Sequence, residues 1–132
     1  MSNPTLDLSK AVYYDITAYR DTKVNETLIP VTVLTNPITG KKEYYPVDLT
    51  TYSGATLQVR QTKQSEYILL EASTNNGMIT LTPDKIILEI PATAMRFNAG
   101  VYYYDFKLKG YLEENTRVLF FGIFKLERNI TD

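Results

Sequence analysis

The chain contains no cysteine, no histidine and no tryptophan in its 132 residues. Without cysteine it can form neither a disulfide framework nor a thiolate zinc site. Without histidine it lacks the commonest metal ligand, the usual general base and every Ser-His or Cys-His pair, which argues against an enzyme. Charge of one sign is also scarce: 14 Lys and Arg are scattered among 15 Asp and Glu, for a net charge of −1. No basic stripe follows a phosphate backbone, so nucleic acid is not an expected partner. The longest apolar run, Val118 to Phe124, falls far short of the ~20 residues a membrane helix needs. The start, Met1-Ser-Asn-Pro-Thr5, has neither the basic region nor the apolar core of a signal peptide. The expectation is a soluble, non-enzymatic protein, cytoplasmic in its producing cell, with no metal, no other cofactor and no membrane contact.

What is present is β-forming sequence. With 44% hydrophobic residues the chain can bury a core in one domain. Residues 1–10 are polar and read as an N-terminal arm that serves assembly, and residues 11–128 read as the domain. Val12-Tyr-Tyr-Asp-Ile-Thr-Ala18 alternates and predicts a first strand; Leu28 to Leu34 predicts a second, with Pro30 at a sheet edge or as its first residue. Asn36-Pro-Ile-Thr-Gly40 is a turn, and Lys41 to Val47 resumes an extended path, so this hairpin should protrude. Further strands are predicted at Ala55 to Arg60, Glu66 to Glu71, Met78 to Thr82 and Lys85 to Ile90, the last two joined tightly by Pro83-Asp84. Pro91 to Phe97 is the one place for a short helical turn.

The strongest pattern lies near the end. In Val101 to Lys109, alternation puts Tyr102, Tyr104, Phe106 and Leu108 on one face and Tyr103, Asp105 and Lys107 on the other. Asn98-Ala99-Gly100 supplies a turn before it, where glycine is free to take angles closed to other residues. The return strand, Arg117 to Leu126, should face the core with Val118, Phe120, Phe124 and Leu126, with Gly122 beside Tyr104. Leu119, Phe121 and Ile123 then point the other way. With Tyr103 they would form an apolar patch of the size that marks binding sites; the competing reading is that both faces are internal, covered by the N-terminal segment of the same chain.

Candidates for chemistry are weak. Glu113-Glu114 reads as a solvated loop. Asp21, Asp48 and Asp84 sit alone in turns, where Asp bonds local backbone N–H groups, and calcium binding is the weaker reading. Tyrosine is the unusual letter, with 11 in the chain. Tyrosines fill half-buried strand positions, but outward ones, such as Tyr103 and one of Tyr44 or Tyr45, suit a protein interface. The candidate interface is therefore Tyr103, Leu119, Phe121, Ile123, Tyr44 and Tyr45. A sugar-binding platform is the competing use, against which the lack of tryptophan counts.

Short strands spaced by turns predict an all-β sandwich or small barrel. Asn98-Ala-Gly-Val-Tyr-Tyr-Tyr104 resembles the corner entering strand F of immunoglobulin domains, with Tyr102 at the corner and Tyr104 where a cysteine would stand. Val47-Asp-Leu-Thr50, Ala55 to Arg60, Asn76 to Leu81, Ile90-Pro-Ala92, Ala99 to Asp105 and Phe121 to Phe124 are similar, in that order, to small immunoglobulin-like proteins of tailed bacteriophages. That family includes tail, baseplate and fibre components such as the N-terminal domain of baseplate upper proteins. The resemblance covers about residues 48 to 127. It departs at Thr51-Tyr52, where glycine is commoner, and in the longer stretch from Thr35 to Tyr45. It implies an immunoglobulin-like antiparallel β-sandwich of about seven or eight strands. It also implies a virion structural role as adaptor, fibre anchor or decoration protein, with other virion proteins and copies of itself as partners. The protein would reside in the virion, and in the host cytoplasm during assembly. A carbohydrate- or receptor-binding β-sandwich is the alternative.

Overall fold

The computed structural model describes residues 12–128, so the expected arm, residues 1–10, lies outside them. The described part is built of strands, which run in chain order as β1 (Val12–Tyr13), β2 (Ile16–Tyr19), β3 (Val24–Leu28), β4 (Val31–Thr35), β5 (Lys42–Pro46), β6 (Tyr52–Arg60), β7 (Leu70–Ser73), β8 (Ile79–Leu81), β9 (Ile86–Ile90), β10 (Gly100–Gly110) and β11 (Arg117–Glu127). Three single 3-10 turns interrupt them, one of them at Ala92–Ala94, inside the segment where a helical turn was expected. The fold is all-β.

Three sheets form. A six-stranded sheet runs β1-β11-β10-β6-β7, with β2 also on β11; a three-stranded sheet runs β3-β9-β8; and among the described residues β4 pairs only with β5. The β10–β11 hairpin is the axis of the large sheet, as the sequence pattern predicts. β6 lies antiparallel on its far side, and β1 and β2 lie parallel to β11 on the near side.

Alternation explains the core. Tyr102, Tyr104, Phe106 and Leu108 of β10, Ala55, Leu57 and Val59 of β6, and Phe120, Phe124 and Leu126 of β11 are all buried. They share one hydrophobic cluster with Ile79 of β8 and with Ile86, Leu88 and Ile90 of β9, so the two larger sheets turn their apolar faces to a common interior. Phe106 stacks on Phe120 at 4.6 Å between ring centres. Each such large side chain contributes ~1.5 to 3 kcal/mol by leaving water.

Several expectations are corrected. The strand from Val12 to Ala18 is interrupted at Tyr14-Asp15 and gives β1 and β2, and these lie parallel to β11, so the described residues form 11 strands that are not all antiparallel, where about seven or eight antiparallel ones were expected. The strand from Leu28 to Leu34 is broken at Ile29-Pro30: the preceding strand is β3, and Pro30, unable to donate, instead accepts the N–H of Val47 through its carbonyl. The strand placed at Glu66 to Glu71 begins only at Leu70, where Leu70 and Ala72 reach the core. Gly100 has ordinary backbone angles and opens β10, whereas the left-handed glycines are Gly40 (φ 73°) and Gly77 (φ 81°). Finally, the β10–β11 register slips after Phe106: Phe106 lies opposite Phe120 but Lys107 lies opposite Val118, so Leu119 is a bulge residue with no partner across the ladder. The bulge reverses the parity below it. Leu119 packs against the core, and Val118 shares the outer face with Lys107.

The turn aspartates have local partners. Asp48 accepts from Thr50 N–H at 3.0 Å and from Thr50 Oγ1 at 2.6 Å, capping the 3-10 turn at Leu49–Thr51, and these bonds hold its carboxyl below the usual range. Asp21 pairs with Arg96 at 3.2 Å, and Asp84 accepts from Thr82 Oγ1 at 3.3 Å.

Candidate functional site

The outer face of the six-stranded sheet carries the most distinctive surface among the described residues. Ladder register places Tyr103 opposite Ile123 and Asp105 opposite Phe121 on one side, and Tyr103 opposite Arg60 on the other. Residues opposite each other point to the same face, so these side chains form contiguous rows. Beyond β11, β1 brings Tyr13 into register with Phe121, and their rings meet edge to face at 5.7 Å and 89°. The rows enclose a shallow groove of about 600 Å³ lined by Tyr13, Tyr103, Phe121, Ile123, Val118 and Asp105 among others.

Charge borders this apolar floor. Lys63 Nζ stands over the Tyr103 ring, 5.6 Å from its centre, in cation–π geometry. Arg60 lies 3.6 Å from Asp105 and donates at 2.6 Å to Gln58, which in turn donates at 2.9 Å to Glu71. The ion pair is partly exposed and contributes little to stability. The other carboxylate oxygen, Asp105 Oδ1, is buried without a hydrogen-bond partner among the described residues. A hydrogen bond to Asp15 raises the pKa of the exposed Tyr13 phenol. The arrangement suits a contact surface: flat rings and branched aliphatics at the centre, with polar and charged groups at the rim.

Of the expected interface residues, the structure brings Tyr103, Phe121 and Ile123 together. Leu119 does not join them, because the bulge turns it onto the core, and Val118 takes its place. Tyr44 and Tyr45 lie elsewhere, on the β4–β5 hairpin. There Tyr45 donates to the Glu43 carboxylate, a bond that raises its pKa, and Tyr44 stands opposite Val33. Tyr13, Arg60 and Lys63 were not singled out by the sequence. Tyr13 could have been, since alternation in Val12 to Ala18 sets it opposite in phase to Ile16; Lys63 sits in a polar turn with no pattern to mark it.

The chain matches no family model and no curated protein.

Proposed function

We propose that the protein is a non-enzymatic structural component of a bacteriophage virion, built as an immunoglobulin-like sandwich and acting as adaptor, fibre anchor or decoration protein through protein–protein contacts. The strand order supports the sandwich: β3-β9-β8 corresponds to the B-E-D sheet of such domains, and β6-β10-β11 to the C-F-G sheet. So does the corner, where the Tyr102 hydroxyl donates to the Asn98 carbonyl four residues upstream. The observation that carries the contact role is the outer face. Tyr103, Phe121 and Ile123 lie side by side there, and Phe121 remains 37% exposed even under Tyr13.

Phe121→Asp tests it. The expected result is a folded protein with an unchanged thermal midpoint that no longer incorporates into phage particles. Mass spectrometry that fails to find the wild-type chain in purified particles overturns the virion reading, and unfolding of the variant moves Phe121 to the core. The groove also favours a second reading, in which Tyr13, Tyr103 and Phe121 stack on a sugar of a receptor. Glycan binding that disappears in Tyr103→Ala with the fold intact would select it.

A further inference from the structure

We infer that β4 is a self-pairing edge, and that two copies of this chain join by antiparallel addition of β4 to β4, centred on Val33. The inference rests on the hairpin alone and not on a virion role.

A two-stranded hairpin is marginal in water, and three or more strands are needed for independent stability. Yet β4 and β5 pair with no other strand among the described residues, and Val31, Val33, Tyr44 and Tyr45 are all exposed. The two edges of the hairpin differ. Asn36 N–H donates to Lys41 at 2.8 Å and Val47 N–H donates to Pro30 at 2.9 Å, so the bonded pairs fall on even-numbered residues of β4. By antiparallel alternation, Thr32 and Leu34 bond toward β5, while Val31, Val33 and Thr35 direct their N–H and C=O groups away from it.

On β5 the outward positions are Lys42, Tyr44 and Pro46. Lysine and proline are the residues with which proteins block strand edges, and Pro46 has no N–H to offer. The β4 edge has no such block. Its outward residues all keep their donors, all are β-branched, and the run Val31–Thr35 carries no charge. Among the described residues that edge is left open where its neighbour is closed.

A second copy fits this edge because the pattern is self-complementary. With the two-fold axis at Val33, each Val33 exchanges both backbone bonds with its counterpart, and each Val31 faces Thr35 of the second copy. β-Branched residues therefore meet β-branched residues and no like charges are opposed. Val33 lies opposite Tyr44 within the hairpin, so the joined sheet has a row of Tyr44, Val33, Val33 and Tyr44 across one face. The contact is small, well under the ~1,200 Å² of stable interfaces, so the dimer is reversible and depends on concentration.

The chain's lack of cysteine makes the test clean. In the proposed register, Val33→Cys brings two Cα atoms to about 5.5 Å, inside the disulfide range, whereas Val31→Cys leaves them roughly 14 Å apart. Copper-catalysed oxidation should therefore cross-link Val33→Cys and not Val31→Cys. Sedimentation velocity from micromolar to near-millimolar concentration should show a wild-type dimer, and Val33→Lys should weaken it at least tenfold while leaving the thermal midpoint unchanged. A wild-type chain that stays monomeric overturns the inference, as does a dimer that survives Val33→Lys or equal cross-linking at both positions. A dimer lost in Phe121→Asp but not in Val33→Lys would put self-association on the outer face instead. Particle incorporation is read separately, so a monomer found in virions sinks this inference and leaves the virion role standing.

Discussion

The Tyr104 hydroxyl donates to the backbone carbonyl of Tyr14, joining residues 90 apart in sequence. Three local features make this bond possible. Gly122, opposite Tyr104 on β11, has no side chain to keep the N-terminal strand away. The Asp15 carboxylate accepts the Ile123 N–H at 2.9 Å in place of a backbone carbonyl. The ladder is interrupted between β1 and β2, yet the register on β11 is the same on both sides of the break.

Gly122→Ala should therefore be costly. A Cβ there would lie 2.6 Å from the Tyr14 carbonyl oxygen and 2.9 Å from Asp15 Oδ1, and the first of these is backbone. Overpacking of this kind costs ~1 to 3 kcal/mol. Gly100→Ala is the control: its Cβ would meet the Tyr102 hydroxyl at 3.6 Å, an ordinary contact, and stability should hold or rise by ~0.5 kcal/mol. Urea unfolding of both variants would contradict this account if their order were reversed.

Tyr102→Phe keeps the edge-to-face contact with Phe97 at 5.1 Å and removes only the bond to Asn98. A loss of ~1 kcal/mol in urea unfolding is expected, the net value of one hydrogen bond. No change would mean that the corner is held by ring packing alone.

Burial pushes the Tyr104 phenol well above its ordinary 10.0. The folded state thus holds the proton longer than the unfolded state does. The contribution is complete below pH 10.0 and is lost as pH rises from there through the folded value. Unfolding free energy measured between neutral and strongly alkaline pH should fall above that point, and more steeply in the wild type than in Tyr104→Phe. Equal slopes would remove Tyr104 as the cause.

The bulge makes a prediction that strict alternation reverses. Leu119→Ala should cost about 2 kcal/mol, because Leu119 packs on the core, whereas Val118→Thr on the outer face should change stability by less than ~0.5 kcal/mol. Chemical denaturation of the two variants decides between a bulged and an unbroken strand.

The final hairpin was legible because its signals agree: uninterrupted alternation from Tyr102 to Leu108, a turn on each side, and a glycine where a tyrosine must pass. The bulge was not, since nothing in Val118-Leu-Phe-Phe distinguishes a slipped strand from a regular one; both are apolar throughout. β3 was missed because its inward residues, Val24 and Leu28, are separated by Glu26, and Val-Asn-Glu-Thr-Leu reads as a polar connection. Tertiary pairing with the apolar β9 makes it a strand. At the candidate site, the patch of Tyr103, Phe121 and Ile123 follows from period two alone. Arg60 reaches it through the pairing of β6 with β10, and Lys63 through the path of the chain after β6, neither of which local pattern encodes.

The parallel seating of β1 and β2 on β11 sets how the domain bears load. Force applied at Val12 and Glu127 drags the first and last strands past each other lengthwise, because both run in the same direction. The bonds from Tyr14 to Phe121 and from Arg20 to Glu127 are then strained together and cannot open one after another as in a peeled hairpin. Tyr104, clasping the Tyr14 carbonyl from a neighbouring strand, acts as a catch across that slip plane.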